Sequence, residues 1–237
     1  MLKKPMDILT QFPVRKSKQQ KSSFRNAVVN FGEDLGYTVT EEPGKLGDCN
    51  LILGDPKTAK YLITAHYDMR VGDNTSAVIT LLEIARTLPE NQRHKVCFVL
   101  FDLEITGLSG SAAYRKKHKE ATDTQFVLHL DSVGYGDSLL MIPTKQLLKD
   151  RRKLTSLYRA CGYFGRKSLL VHESSVPVFC SSPRYFPYGV GIFSVQKQKK
   201  IPYFLSIRCD KDSDIDLTNV NILRAALTTF VCCDEVN

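Results

Sequence analysis

Polar residues that directly follow apolar, β-rich runs are the first candidates for chemistry, because open α/β sheets bind ligands beyond the carboxyl ends of their strands. Three such clusters stand out. His66-Tyr67-Asp68 closes the run YLITA and is followed by Gly72-Asp73-Asn74 just before a helical pattern; Asp102 and Glu104 follow VCFVLF; Asp131 follows QFVLHL. If these runs are strands of one sheet, the clusters converge on one edge. One imidazole among several carboxylates suits a borderline or hard divalent cation such as Zn²⁺ or Mn²⁺, so a metal centre is the sharp expectation. Each residue also has a structural reading of its own: Asp73 as the cap of a helix starting at Thr75, His66 as a hydrogen-bonded core histidine.

The elements that must position these residues can be read from periodicity. From Ser22, the residues Phe24, Ala27, Val28, Phe31 and Leu35 recur at helical spacing and Gly36 follows as a stop. TVTEE, CNLILGD and AKYLITAHYD read as strands, expected side by side. A helix face runs from Thr75 to Leu88 and Pro89 ends it. HKVCFVLFD is the next strand, GLSGSAAYRKKHK a helix, QFVLHLD a strand, and LLKDRRKLTSLYRACGY one long helix closed by Gly162. GIFSVQK and YFLSI as strands and a helix from Leu217 to Cys233 complete the chain. This alternation predicts a three-layer α/β/α fold, a mixed, mostly parallel sheet covered by helices on both faces. No linker or internal repeat divides it, so residues 1–237 are expected to form a single domain.

Composition excludes several classes. The longest apolar run, Val96 to Phe101, is six residues, whereas a membrane span needs roughly 20. The N-terminus has no apolar stretch of the signal-peptide kind, and cytoplasmic location is expected. Seven cysteines, Cys49, Cys97, Cys161, Cys180, Cys209, Cys232 and Cys233, show no CxxC spacing and read as reduced thiols. The formal charge of +8 is spread over several clusters, including the first 25 residues, Arg115 to Lys117, Arg151 to Lys153 and Lys197 to Lys200. They have no interleaved aromatics and no nucleic-acid-binding signature, so a solvated surface is expected, with neither nucleic acid nor membrane as partner. Ser109 in GLSGS lacks the context of a nucleophile elbow and reads as a helix start. His129, on the strand face of Asp131 but deeper, reads as a buried structural histidine, with a substitute metal ligand as the alternative. His94, His118 and His172 have no acidic partner at a telling spacing.

In this order, TAHYD, GDNTSAVITLLEIARTL, FDLEITGLSGSAAY and LHLDSVG resemble successive motifs of the two-zinc exopeptidases of metallopeptidase clan MH, which include bacterial leucyl aminopeptidase and aminopeptidase Y, with glutaminyl cyclases as relatives. The resemblance runs from about Phe12 to the last helix. It implies two zinc ions bridged by a carboxylate. By position, His66 and Asp131 correspond to ligands of one metal, Asp73 to the bridging carboxylate and Glu104 to the general base. Asp68 corresponds to the carboxylate that orients the ligand histidine and raises its basicity.

The sequence departs from that pattern at the second metal. Ile105 stands where the family has a ligand glutamate, Arg208 where it has a late histidine, and Ser182 where a loop aspartate is expected. Both ligand losses fall on the same ion, which argues for one coordinated change and for one Zn ion per chain, Mn being the alternative metal. Removing a divalent ion and a glutamate subtracts one net positive charge, and an arginine returns it. Arg208 would then pair with Asp73 or Glu104. The relatives that are cyclases keep the opposite half of the site. Two readings stay open: a single-metal aminopeptidase-like hydrolase acting on peptide substrates, or a catalytically degenerate homologue that binds a peptide or protein without turnover and holds no metal.

Overall fold

The computed structural model describes residues 4–68, 74–104, 107, 109–172, 182–197, 205–207 and 215–233. A short helix α1 (Pro5–Gln11) precedes the first helix expected from the sequence, α2 (Lys18–Asp34). Ser17 starts α2 through a capping box: its side chain accepts the Gln20 amide and the Gln20 side chain accepts the Ser17 amide. Gly36, at φ +81°, ends it in the left-handed conformation that glycine adopts without strain.

The strands are β1 (Val39–Pro43), β2 (Cys49–Leu53), β3 (Tyr61–His66), β4 (Val96–Phe101), β5 (Phe126–Leu130), β6 (Ser138–Pro143), β7 (Lys167–Leu170), β8 (Gly189–Lys197) and β9 (Leu205–Ile207). They form one sheet of order β1-β2-β4-β3-β5-β8-β6-β7, with β9 paired to the far part of β8. Its centre, β4-β3-β5-β8, is parallel, while β1, β2, β6 and β9 join antiparallel to β2, β4, β8 and β8 respectively. The expectation that the first three strands lie side by side is corrected here: β4 inserts between β2 and β3.

Alternation along the strands separates two cores. Leu51, Ile63, Phe98 and Leu128 face α2, α3 (Thr75–Thr87), α7 (Arg151–Tyr163) and α8 (Leu217–Cys233), in an apolar cluster that extends from Ile8 to Val231. Ile52, Leu62, Val99 and Val127 face the other way, against Tyr114 of α4 (Ser109–Lys117) and Phe186. Two short helices, α5 (Lys119–Thr122) and α6 (Lys145–Lys149), and two 3-10 turns, Glu90–Lys95 and Ser182–Tyr185, complete the described elements. The single long helix expected from Leu147 to Tyr163 is therefore two, broken at Asp150, whose φ of −92° and ψ of +74° are not helical. Gly162 lies within α7, and the left-handed glycine that follows is Gly165. No helix among the described residues is long and apolar enough to cross a membrane.

The first turn of α4 sits directly on the end of β4. Asn50 ties them, donating from Nδ2 to the Gly110 carbonyl (3.0 Å) and accepting the Asp102 amide at Oδ1 (3.1 Å). A Cβ on Gly110 would collide with the Asp102 carbonyl and lie 2.7 Å from Asn50 Oδ1. Because the obstruction is mostly backbone, Gly110→Ala is expected to destabilise the fold by about 1–3 kcal/mol, measured as a lower urea midpoint with an unchanged m-value.

Candidate active site

The parallel centre of the sheet presents the carboxyl ends of β3, β4 and β5 together, and the sequence clusters lie there. His66 is the last residue of β3, opposite Phe101 at the end of β4. Asp131 follows β5 and its amide donates to Ile192 of β8 (3.1 Å). His66 Nδ1 lies 3.2 Å from both the carbonyl and Oδ1 of Asp68. Both partners only accept, so Nδ1 carries the proton and the lone pair of the neutral ring is left on Nε2. Nε2 faces Asp131 Oδ1 at 4.0 Å. That gap is too wide for a hydrogen bond; tetrahedral ligands at 2.0–2.2 Å from one ion sit about 3.4 Å apart, so an approach of about half an ångström would bring the two donors onto a common ion.

Electrostatics point the same way. Burial works to strip His66 of charge, but the hydrogen bond to Asp68 and the carboxylates of Asp131 and Glu104 outweigh it and raise its pKa to about 9. A pocket that holds a proton this firmly has excess negative charge, the environment a cation neutralises. His66 and Asp131 thus fit an N,O-liganded divalent ion as a pair of donors. Asp73, expected as the third donor, lies outside the described residues, as do Ile105 and Arg208; Ser182 begins a short 3-10 turn, Ser182–Tyr185. Among the described residues, no three His, Cys, Asp or Glu side chains are grouped to hold an ion.

Asp68 connects the imidazole to the expected base. Its Oδ1 also receives the Glu104 amide (3.4 Å), and Glu104 Oε1 accepts the Ser111 amide at the start of α4 (2.8 Å). Glu104 is 6% exposed, so its carboxylate is held in place near His66 and Asp68. Asp102 separates from this group. It is fully buried and turned towards Lys21, whose Nζ lies 2.7 and 2.9 Å from its two oxygens, with the Cys49 amide and the Tyr67 hydroxyl also on Oδ2. Leu103 between them adopts φ +52°, a left-handed conformation that costs a branched residue roughly 1–2 kcal/mol and sends the two carboxylates in different directions. Asp102 is thus an anchor of α2, and the expected convergence of all the clusters is corrected at this residue.

Two further expectations change. The basic N-terminus is not simply a solvated surface: Arg15 is fully buried, donating to the carbonyls of Tyr67 (2.9 Å) and Phe12 (2.9 Å) and to the Thr75 hydroxyl (3.0 Å). Lys21 is buried on Asp102, and Arg25 reaches Glu41 (3.1 Å) and the Tyr67 hydroxyl (3.3 Å). His118 has an acidic partner after all, Glu42, at 2.9 Å, and Lys117 reaches the same oxygen at 2.7 Å. Burial would raise the Glu42 carboxyl, yet hydrogen bonds from His118 and Lys117 hold it below the ordinary carboxylate range. A depressed acid stabilises the fold above its unfolded pKa and loses that contribution as pH falls through the folded value. The urea midpoint is therefore expected to drop on acidification below the carboxylate range, and less steeply in Glu42→Gln.

His129 meets the structural expectation: it is buried, its Nδ1 lies 2.9 Å from Thr64 Oγ1, and burial together with nearby His66 lowers its pKa to about 3. Ser109 begins α4, as read from the sequence. Asn74, which the sequence offered only as a neighbour of Asp73, has a role that was not assigned to it. It occupies the N-cap position of α3 but makes no capping bond. Its Nδ2 instead spans the carbonyls of His66 (3.4 Å) and Leu130 (3.3 Å), and its Oδ1 accepts the Ser132 amide (2.9 Å). One amide thereby joins the ends of the two strands that carry His66 and Asp131. The only available signal was its place beside Asp73, where capping is the ordinary reading of an asparagine.

A mixed, mostly parallel sheet flanked by helices, with a histidine and carboxylates at the carboxyl ends of its parallel strands, has the α/β fold of the zinc exopeptidases. The sequence profile of peptidase family M28 matches residues 51–176, and the chain belongs to that family. No curated protein sequence matches it significantly. Among solved structures, the Legionella pneumophila LapA aminopeptidase superposes with a TM-score of 0.72 at 16% identity, over 96% of this chain and 70% of that one. A Zn-dependent exopeptidase from Parabacteroides distasonis gives 0.71 at 15% identity, over 96% and 95%. Porphyromonas gingivalis glutaminyl cyclase gives 0.71 at 17%, over 97% and 95%. At such identities the likeness is one of fold.

Proposed function

We propose that the protein is a metal-dependent hydrolase of N-terminal peptide bonds that works with a single remaining metal site. The observation that carries this reading is the connected set His66–Asp68–Glu104, with Asp131 opposite His66 Nε2. A divalent ion held by His66, Asp73 and Asp131 would supply an acidified water and polarise the substrate carbonyl. The protein's own part begins with Asp68, which fixes the imidazole tautomer that leaves Nε2 free. Glu104 receives the proton of the attacking water and returns it to the leaving amine, oriented by the Ser111 amide. By its place in the sequence, Arg208 would restore the positive charge of the lost ion and so favour the developing oxyanion.

A second reading rests on a specific observation, the substitution of two family ligand positions by Ile105 and Arg208 and of a loop aspartate by Ser182. Under it the cleft binds a peptide without cleaving it. The cyclase alternative finds less support, because the residues kept here are those of the other half of the site. Incubating zinc-loaded protein with peptides bearing free or acetylated N-termini separates the readings. Release of the first residue from the free peptides alone supports the hydrolase. Binding of the same peptides without turnover supports the second reading instead.

A further inference from the structure

The charge and the exposed apolar surface of this protein gather in one place, away from the site just described. Residues 145–167 carry eight Lys or Arg against one acid, Asp150, a local charge of +7 in a chain of net charge +8. Of the eight large apolar side chains that are exposed among the described residues, four follow within this stretch or just beyond it: Tyr158, Tyr163, Leu169 and Leu170. Between α6, α7 and β7 runs a groove of about 510 Å³, lined by Leu148, Arg151, Leu154, Thr155, Tyr158 and Leu170. It borders the last strand of the sheet order, three places beyond β5. Among the described residues β7 pairs only with β6, so its outer edge offers main-chain donors and acceptors next to an apolar floor that Arg151 of the basic segment borders.

We propose that this groove docks an acidic, extended segment of another protein, which adds a strand to the outer edge of β7 and seats its apolar side chains against Leu154, Tyr158 and Leu170. The occupant follows from complementarity. A second copy of the chain would set +7 against +7. Nucleic acid would satisfy the charge but leave the aliphatic floor unused, and a lipid surface would meet a concave groove and a strand edge to which it offers no ladder partner. An acidic strand with alternating apolar residues uses the rim, the floor and the edge together. The proposal does not depend on the metal or on hydrolysis.

The test uses the full chain carrying His66→Ala, so that the cleft is out of play. The probe is a fluorescein-labelled, N-acetylated peptide of about nine residues alternating Glu or Asp with Val, Leu and Phe. Fluorescence polarisation is expected to show saturable binding, weakened about tenfold or more by Tyr158→Ala and by Arg151→Glu and unaffected by Lys57→Glu on a distant basic surface. Amide hydrogen exchange at Lys167–Leu170 is expected to slow in the complex, and N-methylating alternate amides of the peptide to abolish binding. No binding overturns the proposal. So does equal binding of an all-Glu peptide or a DNA duplex, which would make the surface a general polyanion site, or preferential binding of phosphatidylserine vesicles, which would make it a membrane surface.

Discussion

Replacing Glu104 by glutamine is expected to lower the release of N-terminal residues by about 10²–10⁴-fold, the usual contribution of a positioned general base, without loosening the fold or changing metal content. Glutamine keeps the acceptor for the Ser111 amide, the 2.8 Å bond that ties Glu104 to the start of α4, and it is not among the groups assigned to the ion. The measurement is kcat on a free aminopeptide beside the metal content and melting temperature of the same sample. A variant as active as the parent would remove Glu104 from the reaction. A variant that loses metal together with activity would make it a ligand.

Lys21→Met should be the most damaging single change to the fold. Asp102 is fully buried and Lys21 is its only cationic partner in the described ion pairs. The Tyr67 hydroxyl and the Cys49 and Leu103 amides remain on the carboxylate, but they bring no full charge. Stranding a buried charge costs about 3–5 kcal/mol, which for a chain of this size lowers the melting temperature by roughly 6–20 °C. Lys21→Met combined with Asp102→Asn removes both charges and should recover part of that loss. If the double variant were as unstable as the sum of the two singles, the ion pair would not be the reason.

The sequence carried most of the elements because they depend on local periodicity. The helix from Leu217 to Cys233 has the observed limits, and the strand read as HKVCFVLFD is observed over its apolar part, Val96–Phe101, since each has one strongly apolar pattern. The order of the strands was not legible in the same way: placing β4 between β2 and β3 depends on pairing across dozens of residues, which no local pattern specifies. Asp150 breaks the α6–α7 pattern without a glycine or proline to announce it. β6 and β7 carry apolar residues in short runs among basic loops and gave no distinct signal.

The same division holds at the site. His66, Asp68, Glu104 and Asp131 were visible because they end an apolar run or follow it within three residues. The roles of Asp102, Lys21 and Asn74 were not, because they arise from contacts over 81 residues in the ion pair and 56 in the amide that joins the strand ends. A carboxylate at a strand end can face the cleft or the interior. Here the left-handed turn at Leu103 decides which of the two neighbours does which.

The central claim is a half-site that still holds an ion, and the most direct test is the metal content per chain by elemental mass spectrometry, after exposure to zinc and buffer exchange, for the parent and His66→Ala. The account predicts about one ion per chain in the parent and its loss in the variant, because Nε2 of His66 is the donor that faces Asp131. No retained ion in the parent, or a second ion bound as firmly as the first, would contradict it.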